Sequence, residues 1–352
     1  MNLKQQQIIS SLLRREAYNH QTSKIKLEET HISWIILTGL YVYKIKKELT
    51  FGKVLDFSDL PLRRAACQKE VALNKILCYD MYEGVVKVVA NKNNNHTNED
   101  TKLQIADLRH KGKAIEYAVK MKEIPQRFRM DNLVAANKVS LRTIQKLART
   151  LVKFHRATPT NTAIRQFGQP EFMKAKVLEN FETLHKLYDI CDDVNNDDIG
   201  KLEKKLLSFI ENNKSLFHQR IVENRIRDIH GDLYMKNIFI VQQNKFYLYD
   251  RIEFNDSLRY ADVAEDVAHI SMDFDYQKKS RLKRHFVSNY LEESKDFQLN
   301  YIVYFLMCYK ACVRAKVYFF KALNERNRKE KVTCLRESTN HLKLARSYLE
   351  FL

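Results

Sequence analysis

The densest chemistry in the sequence lies in Ile229–Asp250, IHGDLYMKNIFIVQQNKFYLYD. Asp232 and Asn237 stand five residues apart, and Asp250 follows a pair of β-prone runs. IFIV and FYLY, separated by QQNK, read as a short β-hairpin. Pairing of its arms carries Asp250 back towards Asn237. Asp, Asn and Asp then converge as oxygen ligands, a set that suits Mg²⁺ better than a soft metal. Phosphoryl transfer needs such a set. One carboxylate orients or deprotonates the attacking hydroxyl, while an Asn and a second carboxylate hold the Mg²⁺ that neutralises the phosphates. The competing reading is a turn whose Asp and Asn only cap backbone groups.

The order Asp-x4-Asn, hairpin, Asp matches the catalytic half of the kinase pattern. A kinase also needs a strand Lys at the phosphates and a helix Glu that holds it. YVYKIKK supplies Lys44 and Lys46, two apart and therefore on one face of a strand. AACQKEVALNKIL supplies Glu70. Lys44 is the preferred phosphate ligand and Lys46 the alternative.

The elements that must position these groups can be read from periodicity. Residues 3–18 form a short amphipathic pattern. HISWIILTG and YVYKIKK are β-branched and aromatic, split by a Gly turn, and predict a hairpin. Ser58 and Asp59 can cap a helix, with Pro61 in its first turn and Ala65, Val71, Leu73 and Leu77 as apolar positions. A strand near 85–90 precedes a polar loop at Asn91–Thr101, and IEYAVKMKEI is a further strand ending at Pro125. After Pro125 the helical period dominates, with CDDVNNDDIG (191–200) read as a loop between helices. The expected fold is α+β and bilobal: a small strand-rich lobe over 1–124 and a large helical lobe over 125–352.

Composition narrows the class. No run of 18 apolar residues predicts a transmembrane helix, and the N-terminus carries no apolar signal-peptide core. Six scattered Cys lack metal-ligand or disulfide-frame spacing, which fits reduced thiols in a cytoplasmic protein. The seven Gly form neither GxxxxGK[ST] nor GxGxxG, so phosphate binding must use another device. The formal charge of +18 favours an anionic partner. A nucleic acid is the weaker choice, since no basic recognition helix or aromatic RNA-binding motif stands out.

HGDLYMKN followed by LYD resembles the aminoglycoside phosphotransferase family, which has a protein-kinase-like fold. ETHISWIILTGLYVYKIKK, LDFSDLPLRR, EYAVKMKEIP, YDRIEFNDSLRYADVAEDVAHISMDFD and YKACVRAKV are similar to the phosphotransferase-like half of bacterial bifunctional proteins that join it to a P-loop ATPase. The likeness runs in blocks over about residues 25–320. No Walker motif is present, so an ATPase half would come, if at all, from a separate partner. The resemblance implies ATP and Mg²⁺ as cofactors, Asp232 as catalytic base, Asn237 and Asp250 as Mg²⁺ ligands, and Lys44 with Glu70 as the phosphate-positioning pair. It further implies adenine contacts at the backbone around Met121 and Glu123, and a structural role for His230. Two departures stand out. The turn before Lys44 has one glycine, Gly39, and Asp250 is followed by Arg251-Ile252 rather than Phe-Gly.

The acceptor is the least constrained part. In YIVYFLMCYKACVRAKVYFF, Lys310 falls in an apolar stripe and Arg314 lies one turn on. Charges on a packed face need partners or a cleft. They either line a pocket for an anion or snorkel and pair internally. Glu253 is a further candidate to face the acceptor, and Asp262 and Asp266 are expected structural anchors. From Gln277 onward there are 17 Lys/Arg against 7 Asp/Glu. The expectation is an ATP- and Mg²⁺-dependent kinase of a small-molecule hydroxyl, with a neutral or anionic acceptor rather than a polycationic aminoglycoside. A kinase-like nucleotide-binding regulator without useful turnover is the alternative.

Overall fold

The computed structural model describes residues 3–52, 54–90, 102–188, 196–241, 245–325 and 327–352. The chain divides into two compact units, Met1–Phe128 with Phe246–Asp256, and Arg129–Lys245 with Ser257–Leu352. The division expected after residue 124 thus falls four residues later. The strand-rich unit also takes back a segment from far along the chain, which the linear reading did not anticipate.

The strand-rich unit is built on a six-stranded antiparallel sheet. In spatial order its strands are Lys26–Glu29, Ser33–Leu37, Tyr41–Lys46, Glu116–Lys122, Tyr82–Ala90 and Leu103–Asp107. Alternation along the third strand separates two environments. Tyr43 and Ile45 enter an apolar core with Trp34, Ile36 and Val88, closed by Ile8, Ile9 and Leu12 of the N-terminal helix. Lys44 and Lys46 therefore share the opposite face. The N-terminal helix is shorter than expected, Leu3–Leu12, followed by a single tight turn at Arg15–Ala17. Its Gln5 amide donates to Lys46 O at 2.8 Å and to Glu116 Oε2 at 3.2 Å.

The helix Leu60–Cys78 starts as its sequence dictates. Asp59 accepts from the Leu62 N–H at 2.7 Å, and Pro61 occupies the first turn, where a missing N–H costs nothing. Arg63, one turn in, forks onto Glu116 with Nε at 3.1 and 3.0 Å from the two carboxylate oxygens, and its Nη1 donates to Phe57 O at 2.8 Å. That fork ties the helix to the sheet and sets its rotation.

The second unit is helical. The helix Leu299–Asn324 packs against Ala264–Tyr276 and Arg328–Ser347. Ala264–Tyr276 is buried around most of its circumference, including every residue from Ala264 to Met272. Asn196–Gly200, expected as loop, instead begins the helix Asn196–Asn212: Asp197 and Asp198 sit in its first turn, where the backbone dipole favours acids. Residues 191–195 of that segment, the expected polar loop at 91–101 and residues 242–244 of the hairpin turn lie outside the described residues. The five described cysteines (67, 78, 308, 312 and 334) are buried and form no disulfide with one another.

One buried ion cluster ties elements of the helical unit together. Arg220 is fully buried and bonded to Asp262 and Asp296, with Nη2 2.7 Å from Asp262 Oδ1 and Nη1 2.9 Å from Asp296 Oδ1. Asp262 also caps the Ala264 N–H at 2.8 Å, as its expected anchoring role requires. Removing the cation would leave two buried carboxylates facing each other. Arg220→Met is expected to cost about 3–5 kcal/mol of this unit's stability, read as a lowered midpoint in urea unfolding followed by far-UV circular dichroism.

Candidate active site

The strand-rich unit carries an alternating chain of buried charges. Lys44 Nζ lies 2.5 Å from Asp250 Oδ1 and 2.9 Å from Glu70 Oε1; Lys46 Nζ lies 2.5 Å from Glu70 Oε2 and bonds Glu253 Oε1. The order is Asp250, Lys44, Glu70, Lys46, Glu253. Each ammonium sits between two carboxylates, and the Glu70 carboxylate bridges both lysines. Strand alternation puts the two lysines on one face, and the helix Leu60–Cys78 brings Glu70 across it.

The two ends of the chain differ in exposure. The side chains of Lys46 and Glu70 are 0% exposed and that of Glu253 is 3%, whereas Asp250 is 40% exposed. Lys46 is closed on both sides by protein carboxylates. Lys44 stands beside the one member of the chain open to solvent. Glu253, expected to face an acceptor, is instead buried against Lys46, because an ammonium at the sealed end requires a second counter-charge.

Electrostatics follow from that burial. Desolvation opposes the charge on Lys44, but the carboxylates of Asp250 and Glu70 outweigh it and hold its pKa well above the usual value. Lys46 shows the same balance, with Glu253 and Glu70 prevailing. Burial pushes Glu253 up, against the pull of Lys46.

Asp250 is aimed by its backbone. Its φ of +67° lies in the left-handed region, an uncommon state for a non-glycine residue that costs about 1–3 kcal/mol. The next residue holds it there. Arg251 N–H donates to Asn74 Oδ1 at 2.9 Å, while Asn74 Nδ2 donates to Glu70 O at 2.9 Å. Asn74 therefore links the backbones at the two acidic members, 70 and 250. Sequence reasoning missed it, although a polar side chain one turn after Glu70 on a buried helix face was the available signal.

The expected adenine-binding stretch is partly committed. Glu123 N–H donates to Leu40 O at 2.9 Å and Lys122 N–H to Met81 O at 2.8 Å. The Glu123 carboxylate accepts from the Gly39 N–H at 2.7 Å, so it braces the glycine turn, where φ is +90°. Met121 is buried within the sheet.

In the helical unit, Asp266 organises the loop that bears Asp232. Its oxygens accept from the His230 N–H at 2.9 Å, the Gly231 N–H at 3.1 Å and His155 Nε2 at 3.1 Å. Burial would raise the Asp266 pKa, but the His155 bond and nearby charge bring it below the ordinary value. Gly231 takes φ +88°, a bend that favours glycine. His230 is fully buried, in keeping with a structural role. Downstream, Asn237 Nδ2 donates to Asp232 O at 2.9 Å and reaches Asp232 Oδ2 at 3.3 Å. Asp232 and Asn237 are thus a bonded pair in the helical unit, while Asp250 belongs to the strand-rich one.

Two sequence-level candidates in the helix Leu299–Asn324 part company. Lys310 Nζ donates to Glu265 Oε2 at 2.8 Å, and Lys176 takes the other oxygen at 3.1 Å. Against the effect of burial, these two cations hold the Glu265 carboxyl down to about 2. Lys310 is therefore committed to an internal ion pair rather than open to an acceptor. Arg314 is not: its guanidinium lies over the rings of Tyr234 and Tyr318, 4.3 and 5.0 Å from their centroids.

No family model matches the chain. Uncharacterized proteins of Mycobacterium bovis and of two strains of Mycobacterium tuberculosis are each 28% identical to it over 293 residues, covering 83% of this chain and 54% of theirs. The chain thus spans about half the length of the curated relatives it matches. Among solved structures, Plasmodium vivax ethanolamine kinase aligns over 92% of this chain and 82% of its own, with a TM-score of 0.51 and 12% identity. Choline kinase from Cryptosporidium parvum aligns over 98% of this chain and 96% of its own, with a TM-score of 0.50 and 10% identity. At these identities the likeness establishes the fold: α+β and protein-kinase-like, with a strand-rich and a helical unit.

Two outcomes follow from the charges described. Lys46→Met leaves Glu70 and Glu253 buried without their shared cation and is expected to cost about 3–5 kcal/mol, whereas adding Glu253→Gln recovers part of that loss. A thermal-unfolding double-mutant cycle with no coupling between the two positions would contradict the alternating chain. Asp273 gives a pH test of opposite sign to an ordinary ion-paired acid. Burial raises its pKa to about 6, despite the Met235 N–H bond and the charge of Arg314. Its contribution to stability is therefore lost as pH rises from about 4 to about 6, by about 2–3 kcal/mol. In Asp273→Asn, which keeps an acceptor for the Met235 N–H, that downward slope should vanish from the urea midpoint.

Proposed function

We propose that the protein is an ATP- and Mg²⁺-dependent phosphotransferase acting on a hydroxyl of a small molecule. The observation that carries this reading is the Asp250–Lys44–Glu70 chain, built in a kinase-like fold that also holds Asp232 and Asn237 on a braced loop. A nucleotide needs a cation for its phosphates and a carboxylate for its metal, and the open end of the chain offers both.

In this reading Lys44 meets the nucleotide phosphates, displacing Asp250 as its outer partner, and Glu70 keeps it extended. Lys46 and Glu253 serve as a sealed brace behind them. Asp250 and Asn237 are the residues that would hold Mg²⁺. Each donor by itself suits a hard cation: Asp250 is partly exposed, and Asn237 spends its N–H groups on Asp232, which leaves the amide oxygen. Mg²⁺ ordinarily completes its shell with water and substrate phosphates, so a cage of protein ligands is not required. When bound, the ion supplies neutralisation of phosphate charge. Asp232 accepts the proton of the acceptor hydroxyl, and the Asn237 amide orients its carboxylate.

Binding and turnover test the reading separately. ATP with Mg²⁺ is expected to raise the melting temperature of the wild type and to leave that of Asp250→Ala unchanged. Asp232→Asn is expected to keep the nucleotide shift but lower phosphate transfer by roughly 10²- to 10⁴-fold. A protein that gains no stability from any nucleotide, with or without Mg²⁺, would rule the proposal out. A shift without turnover on any hydroxyl compound would instead favour the nucleotide-binding regulator.

A further inference from the structure

Arg314 presents a buried positive charge that no described residue pairs. The residue is 8% exposed, yet among the described residues its guanidinium has no hydrogen bond and no carboxylate within ion-pair distance. Every other buried arginine in this unit for which bonds are resolved is answered by an acid: Arg220 by Asp262 and Asp296, Arg259 by Asp228. A buried guanidinium with five donors and no acceptor is costly unless something else supplies the acceptor. The two tyrosine rings compensate in part, through attraction of a cation to their π-faces.

The surroundings place this charge beside the acceptor chemistry. Tyr234, whose ring lies under Arg314, is two residues from Asp232. That ring also stacks on His269, at 5.3 Å between centroids, and His269 Nδ1 is 3.8 Å from Asp232 Oδ1. Neither ring nitrogen of His269 has a hydrogen-bond partner among the described residues. Burial and the charges of Lys310 and Arg314 keep that imidazole neutral. On the far side, Lys236 Nζ donates to the Tyr318 hydroxyl at 3.2 Å and adds an exposed cation at the rim. Asp273, the other carboxylate whose field Arg314 feels, is occupied by the Met235 N–H at 2.8 Å.

We infer that Arg314 is an anion-recognition residue of the acceptor site, so that the phosphorylated molecule carries a carboxylate or a phosphate besides its hydroxyl. This rests on the phosphotransferase reading for the word acceptor, but the anion site stands on its own geometry. A planar guanidinium resting on two aromatic rings suits bidentate recognition of either anion. His269 supplies a neutral donor or acceptor to the same ligand. A cationic acceptor would meet Arg314 and Lys236 as like charges.

Isothermal titration of the full chain with inorganic phosphate, glycerate, glycerol and choline tests the assignment, using wild type, Lys44→Met, Arg314→Gln and Arg314→Lys. Phosphate or glycerate is expected to bind wild type, to keep an Arg314-dependent site in Lys44→Met, and to bind that site roughly 10- to 100-fold more weakly in Arg314→Gln, with an intermediate loss in Arg314→Lys, which keeps charge but not the fork. Preference for phosphate over glycerate, or the reverse, tells which anion the acceptor carries. Equal anion binding by Arg314→Gln or, if that variant does not fold, by Arg314→Lys would overturn the inference. So would loss of all anion binding in Lys44→Met, or tighter binding of glycerol or choline than of either anion. The ATP–Mg²⁺ melting shift, recorded on the same samples, reports independently on the phosphotransferase reading.

Discussion

Two ammonium groups and three carboxylates can share a buried space only if they alternate. That constraint shapes the strand-rich unit. Lys44 and Lys46 lie on one strand face, so their charges would repel unless Glu70 stood between them with an oxygen for each. The helix Leu60–Cys78 must present Glu70 at that height, which the Arg63–Glu116 fork and the Asp59 cap enforce. Desolvation of so many charges is expensive, and mutual attraction offsets it only with close geometry. The cluster is therefore poor evidence of stability. It is better understood as a device that fixes one arrangement of strand, helix and returning segment, with a single acidic end left open.

The helical unit solves a related problem with one carboxylate. Asp266 collects two backbone N–H groups from the His230–Gly231 bend and one imidazole. The bend is thereby held by a carboxylate other than that of Asp232, the residue that follows it. Separating the residue that shapes a loop from the residue that acts on it is the usual way to pre-organise a reactive group. Arg220 anchors the strand Tyr260–Asp262 in the same unit through Asp262.

Much of this was legible before any coordinates. Periodicity identified the strand of Lys44, the capped helix of Glu70, the braced loop and the dominance of helix after Pro125, because each is governed by local pattern. What was not legible depended on partners distant in sequence. Same-face spacing could not separate Lys44 from Lys46; the separation comes from Glu253, 207 residues away from Lys46. Lys310 and Arg314 looked alike on one helix stripe, and the position of Glu265 shows that Lys310 is the one with an internal partner among the described residues. The return of Phe246–Asp256 to the first unit, and hence the placement of Asp250 and Glu253, is a matter of chain path rather than propensity. The start of a helix at Asn196 was missed for a different reason: its acidic first turn reads as loop composition when the apolar period that follows is overlooked.

Asn74 has a consequence for how this protein can vary. Its side chain must donate to one backbone group and accept from another, at the Glu70 carbonyl and the Arg251 amide, within a buried helix face. Asp, isosteric but without a donor, satisfies one end and brings a fourth negative charge near three others. Leu satisfies neither. Gln reaches both only by displacing the helix from the sheet. The position therefore tolerates very few amino acids although it touches no reactant, and it could change only together with its surroundings.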